Sequence, residues 1–187
     1  MNAVKRKILM SVIFSLAFPL GVRTQNIVLE HPERNIAFHD FVPLPHFPPV
    51  NQDSTLVCWG FATTSFLESE LMRLRGKEIR LSVFYPVYYR LLEKSKSYLV
   101  SGDTLPFSPG DLFMGVFEVV EQYGIVPASA YEGEKNTTTF YNHTALYRAI
   151  DSLLAASRKL SLTERIEKVQ DIKILLNNFL GIPPTIF

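Results

Sequence analysis

Apolar residues recur at three- and four-residue steps through most of the chain beyond residue 57. Phe61, Ala62, Phe66, Leu67, Leu71 and Leu74 keep that interval, while Glu68, Arg73 and Arg75 face elsewhere. Such a stripe predicts an amphipathic helix over about 59–75, with Gly76 as its stop. A second helix is predicted over about 82–95, "SVFYPVYYRLLEKS", with Ser82 as a good N-cap and Pro86 limiting where it can begin. A third, over about 110–122, ends at Gly124. Two more follow the polar stretch 134–143. One covers about 144–158 with Leu146, Ile150, Leu153 and Leu154 inward. The other opens on the capping box "SLTE", in which Ser161 and Glu164 satisfy each other's orphan donors. Its expected apolar face is Ile166, Val169, Ile172, Leu175, Leu176 and Phe179, and Gly181 with Pro183 and Pro184 ends it. Strand signals are scarce and no repeat is present, so the expected fold class is mainly α.

The start of the chain follows a different pattern. Lys5, Arg6 and Lys7 precede an uncharged run, "ILMSVIFSLAFPLGV", at 8–22. Basic residues ahead of a short apolar run are the signature of a secretory signal peptide, expected here over 1–25. A run of 15 residues containing Pro19 is short for a bilayer span. Removing 1–25 takes away Lys5, Arg6, Lys7 and Arg23 and no acid, so the formal charge falls from +1 to −3. That leaves no basic field for nucleic acid and no membrane segment. The expected location is therefore periplasmic or secreted. Residues 26–47, with Pro43 and Pro45 and running into Pro48 and Pro49, read as an extended lead-in lying against the domain surface.

The candidate chemistry sits in "NQDSTLVCWGFATTSFLESE", which holds the only cysteine and the only tryptophan of the 187 residues. One cysteine permits no intrachain disulfide, and a free thiol in an exported protein needs a reason of its own. Cys58 stands immediately before the strong helical pattern, where a helix N-terminus offers positive partial charge to a thiolate. Attack on an amide creates an oxyanion, for which the Cys58 backbone N–H and the side-chain amide of Gln52, six residues upstream, are the candidate donors. The competing interpretation of Cys58 is a small core hydrophobe, the usual fate of a lone cysteine.

"PPVNQDSTLVCWGFATTSFLESELMR" resembles the active-site segment of papain-family cysteine peptidases: Asn-Gln, five residues, then Cys-Trp and an apolar helix. "LSVFYPVYYRLLEKS" is similar to the region opening the family's next helix, and "FEVVEQYGIVPASAYEG" to its helix, Tyr-Gly-Ile turn and Tyr-x-Gly segment. The resemblance implies Cys58 as nucleophile, Gln52 as oxyanion donor and Trp59 as the aromatic after the nucleophile, here a candidate substrate-binding residue. It implies peptide or protein substrates and no metal or other cofactor. It makes 48–133 the helical left-hand domain of an α+β fold. Within the family the chain looks closest to the bleomycin hydrolase and bacterial aminopeptidase C branch, whose long insertion would correspond to the helices of 134–187. Leu56 and Val57 stand where papain has Gly-Ser, and two large apolar residues there are expected to narrow the approach. No run of glycines follows "SPGD", so the family's substrate-backbone platform has no counterpart in named residues.

The family also needs a histidine base and an orienting asparagine followed by Ser-Trp, both in a β-rich second domain. His31, His39 and His46 precede Cys58, and His143 lies in the polar loop, where a solvated histidine is the expectation. With Trp59 as the only tryptophan, no Asn-Ser-Trp motif is present. The expectation is therefore a truncated or split peptidase chain whose second domain or second polypeptide lies elsewhere. The alternative is an inactive remnant or a partner-binding helical module. Among weaker motifs, "NTT" at 136–138 and "NHT" at 142–144 are N-glycosylation patterns. Asp103, Asp111 and Glu118 lack metal-ligand spacing and are expected on a solvated surface.

Overall fold

A computed structural model describes residues 42–102, 107–133 and 140–185. The chain divides into two units, Met1–Val42 and Pro43–Phe187, and all described residues but Val42 belong to the second. The predicted signal peptide and most of the lead-in fall in the first, outside the described residues.

The described residues of the second unit form five α-helices: α1 Cys58–Arg75, α2 Phe84–Ser101, α3 Phe113–Tyr123, α4 Thr144–Ser157 and α5 Leu162–Leu180, with one 3-10 turn at Ala128–Ala130. Among the described residues β-pairing is limited to two isolated bridges, Ser54 with Asn142 and Leu81 with Pro127. The mainly α expectation holds.

α2 lies at the centre and packs against each of the other four helices. Val87, Leu91 and Leu99 are fully buried along it. It runs six residues past the predicted end because Ser95, in the polar-looking "KSKS", is turned inward and donates Oγ–H to the Leu91 carbonyl at 2.8 Å. Tyr98 and Leu99 then continue the buried face. At its start the N-cap is Val83, one residue after the predicted Ser82, whose Oγ accepts from the Tyr85 N–H at 3.1 Å. Pro86 falls within the first turn, where its missing N–H has no intrahelical role.

α1 differs most from expectation. Its buried residues are Trp59, Gly60, Thr63, Thr64 and Glu68, whereas Phe66 and Leu74, predicted inward, are 54% and 62% exposed. Two features turn the polar side in. A Cβ at Gly60 would stand 2.9 Å from Val87 Cγ2, so α1 approaches α2 through the missing side chain. Glu68 is drawn in by the Leu81 N–H, which donates to its Oε1 at 2.8 Å, and by the Arg80 guanidinium at 3.5 Å. The helix stops at Gly76, as predicted, and the Gly76 N–H reaches the Met72 carbonyl.

In α4 Leu146, Ile150 and Leu154 are buried and Leu153 partly so, as the pattern required. In α5 the capping box forms, with the Ser161 N–H donating to Glu164 at 2.8 Å. Its inner face is narrower than predicted. Ile172, Leu176 and Leu180 are buried, while Ile166 is exposed and Phe179 is at the exposed margin. The inward side carries Asn177, whose Oδ1 accepts from the Tyr88 hydroxyl at 2.7 Å. Of the lead-in, Phe47 and Pro48 lie against the surface. The Arg80 guanidinium sits 4.3 Å over the Phe47 ring and donates to the Pro48 carbonyl at 2.9 Å.

Candidate functional site

Residues 51–57 form an irregular loop that delivers the chain into α1. Asp53 and Leu56 both adopt left-handed backbone, with φ of 49° and 56°. For side chains other than glycine this conformation costs about 1–2 kcal/mol per residue and needs support from neighbours. That support comes from the segment entering α4. Ser54 N–H donates to the Tyr141 carbonyl at 3.0 Å, and the Tyr141 N–H donates to Asp53 Oδ2 at 3.0 Å. The His143 N–H reaches the Ser54 carbonyl at 3.3 Å, and the Tyr147 hydroxyl donates to the Thr55 carbonyl. These long-range supports leave no trace in the local pattern.

The loop places Cys58 as the first residue of an 18-residue helix with its side chain exposed. The first N–H groups of a helix lack intrahelical acceptors and present positive partial charge. Cys58 is thus an accessible thiol at a helix start rather than a core hydrophobe. Gln52 is half-buried six residues upstream, and its Oε1 is buried without a hydrogen-bond partner. Trp59 is 5% exposed and donates Nε1–H to the Pro109 carbonyl at 3.1 Å, so its indole is packed against the 107–111 loop. The narrowing expected from both Leu56 and Val57 is corrected. Val57 is wholly buried in the core, and only Leu56, 61% exposed, faces solvent.

His143 also departs from expectation. It is 2% exposed, packed 5.3 Å from the Phe84 ring, with Nδ1 3.4 Å from the Tyr147 hydroxyl. Burial pushes its pKa down to about 4, leaving a neutral ring committed to the interior. His46, the other described histidine, is exposed and has Nδ1 3.0 Å from the neighbouring Phe47 carbonyl.

A cleft of about 580 Å³ opens beside α1, lined by Phe61, Ala62, Thr64, Glu68, Arg80 and Tyr131 among others. Ala62 lies one helical turn, about 6 Å along the axis, beyond Cys58. Burial raises the pKa of the Glu68 carboxyl, outweighing the Leu81 N–H and Arg80 that act against it.

Of the acids expected on a solvated surface, Asp111 is corrected. Asp111 is largely buried and accepts from Arg90 Nε at 2.5 Å and from the Leu112 N–H at 2.8 Å. Lys94 lies 3.7 Å away. Burial pulls the carboxyl upward, but the Arg90 bond and the Leu112 N–H hold it below the ordinary carboxylate range. Glu118 is exposed and paired with Arg90, while Asp103 lies outside the described residues. Asn142 of the second glycosylation pattern is exposed, and Asn136 of the first is not described. No cluster of three metal-ligating side chains occurs among the described residues.

The chain is similar to a yeast cysteine proteinase. It is 27% identical over 179 residues to the protein named "Cysteine proteinase 1, mitochondrial" of Saccharomyces cerevisiae, strain YJM789, with the same values for strain JAY291. The match takes in 80% of this chain and 37% of the relative. No protein-family model matches the chain. The similarity supports a distant relation to cysteine peptidases.

Proposed function

We propose that the chain is the nucleophile-bearing part of a papain-like cysteine peptidase of the bleomycin hydrolase and aminopeptidase C type. Residues 1–25 act as its export leader. The Cys58 sulfur attacks the carbonyl carbon of a peptide bond, forming an S–C bond while the carbonyl electron pair moves to oxygen. Gln52 and the Cys58 N–H donate to that oxyanion. The group that takes the thiol proton and returns it to the leaving amine comes from a further domain or second polypeptide, since His143 is buried and neutral. The observation that carries this reading is the exposed Cys58 at the first position of α1, six residues after Gln52, in a chain similar to a cysteine proteinase.

The reading is tested by alkylation of the full chain, in which Cys58 is the only thiol. Iodoacetamide is expected to label it near neutral pH at least about tenfold faster than an unstructured cysteine peptide. A rate no higher than that of the peptide removes the activated nucleophile.

A further inference from the structure

The loop 107–111 is tied down at nearly every residue. Ser108 Oγ accepts from the Gly110 N–H at 3.2 Å, Pro109 O accepts from Trp59 Nε1, and Gly110 O accepts from Lys94 Nζ at 2.5 Å. Asp111 closes the set by taking Arg90 Nε on one oxygen and the Leu112 N–H on the other. The side chains of Arg90, Lys94 and Asp111 are 23%, 22% and 13% exposed. Groups so withdrawn from water lose hydration that only well-made partners restore. α3 comes close enough to seal them because residue 115 is glycine: a Cβ there would stand 2.8 Å from Arg90 Nε and 3.0 Å from the Asp111 carboxylate.

A brace between α2 and α3 alone would need only the pair that joins those helices, Arg90 with Glu118. Asp111, at the end of the loop, is instead held by Arg90 and lies 3.7 Å from Lys94, while Lys94 also donates to the Gly110 carbonyl, so both tie the loop to α2. The loop in turn gives the Pro109 carbonyl to Trp59, the neighbour of Cys58. The geometry points to Asp111 and Lys94 as positioning residues. They hold the backbone of 108–110 beside the start of α1 and so set how a peptide approaches Cys58. This role rests on Cys58 being the nucleophile.

The test uses the full chain and reads two quantities. Trp59 is the only tryptophan, so its emission reports the contact with Pro109 directly. A peptidyl chloromethyl ketone, whose carbon bonds to the Cys58 sulfur as chloride leaves and the thiol proton passes to solvent, gives a half-saturating concentration and a limiting rate. Asp111→Asn is expected to shift Trp59 emission to the red and raise the half-saturating concentration by about tenfold, with a limiting rate within about twofold. Lys94→Met is expected to move both readouts in the same direction and decides the matter if Asp111→Asn does not fold. Glu118→Gln is expected to change neither. Unaltered emission and half-saturation in the loop variants overturn the assignment, as does an equal effect from Glu118→Gln or a wild-type chain that shows no saturation. Slow wild-type alkylation defeats the nucleophile reading instead, and the emission measurement is independent of it.

Discussion

His143 shows how one side chain changes meaning when its surroundings are known. In the sequence it is a histidine in a polar loop; in the fold it is sealed between Phe84 and Tyr147 under the loop that carries Gln52. Its pKa is pushed down to about 4, from 6.5 in the open chain. Between those values the unfolded state binds the extra proton, so stability rises with pH across the window and is lost as pH falls through it. The loss is expected to reach roughly 3 kcal/mol by the bottom of the window. Glu68, raised above 4.5 by burial, contributes the opposite slope just above that pH. Urea denaturation between pH 4 and 7 is expected to show the fall in the wild type and a flatter profile in His143→Gln. An unchanged profile in the variant would assign the slope to other groups. Cys58 and the signature around Gln52 were legible directly, because a single cysteine beside a helix start is a local feature. The neutral state of His143 was not, because desolvation is set by residues such as Phe84 that lie far away in the chain.

At the scale of elements, the existence of all five helices could be read from spacing and stop residues, and the α5 cap formed at the residues that predicted it. The face each helix turns inward was less legible. Period and apolarity put Phe66 and Leu74 of α1 inside; the close approach at Gly60 and the two partners of Glu68 put them outside. The contact at Gly60 can be tested by Gly60→Ala. Alanine favours the helix by about 1 kcal/mol, but its methyl group must displace the fully buried, rotamer-restricted Val87 at a cost of about 1–3 kcal/mol. A net loss of about 1 kcal/mol is expected from chemical denaturation. A gain in stability would mean that α1 and α2 have room to separate.

For the described unit as a whole, α2 is the axis on which the others depend. Leu91 is fully buried within it, in a core shared with Val116 of α3, Ile150 of α4 and Ile172 and Leu176 of α5. Leu91→Ala is expected to cost about 3 kcal/mol. Because the core is shared, far-ultraviolet circular dichroism and Trp59 fluorescence should lose structure together in both proteins. Separate transitions would show that the α4–α5 pair folds independently of α1. The chain spans 37% of the length of the curated relative it matches.

By itself the sequence determined the helical class, the helix stops at Gly76, Gly124 and Gly181, the capping of α5, and the Gln52–Cys58 spacing with its resemblance to peptidases. These are local properties, written in residues that are neighbours along the chain. Only the tertiary structure decided that Cys58 is exposed and Trp59 packed, that Glu68 and His143 are buried, and that Asp111 is bound to Arg90 rather than to water. The reason is physical: burial and charge pairing depend on surfaces brought together from distant segments, and a period of 3.6 residues carries no information about which surface arrives.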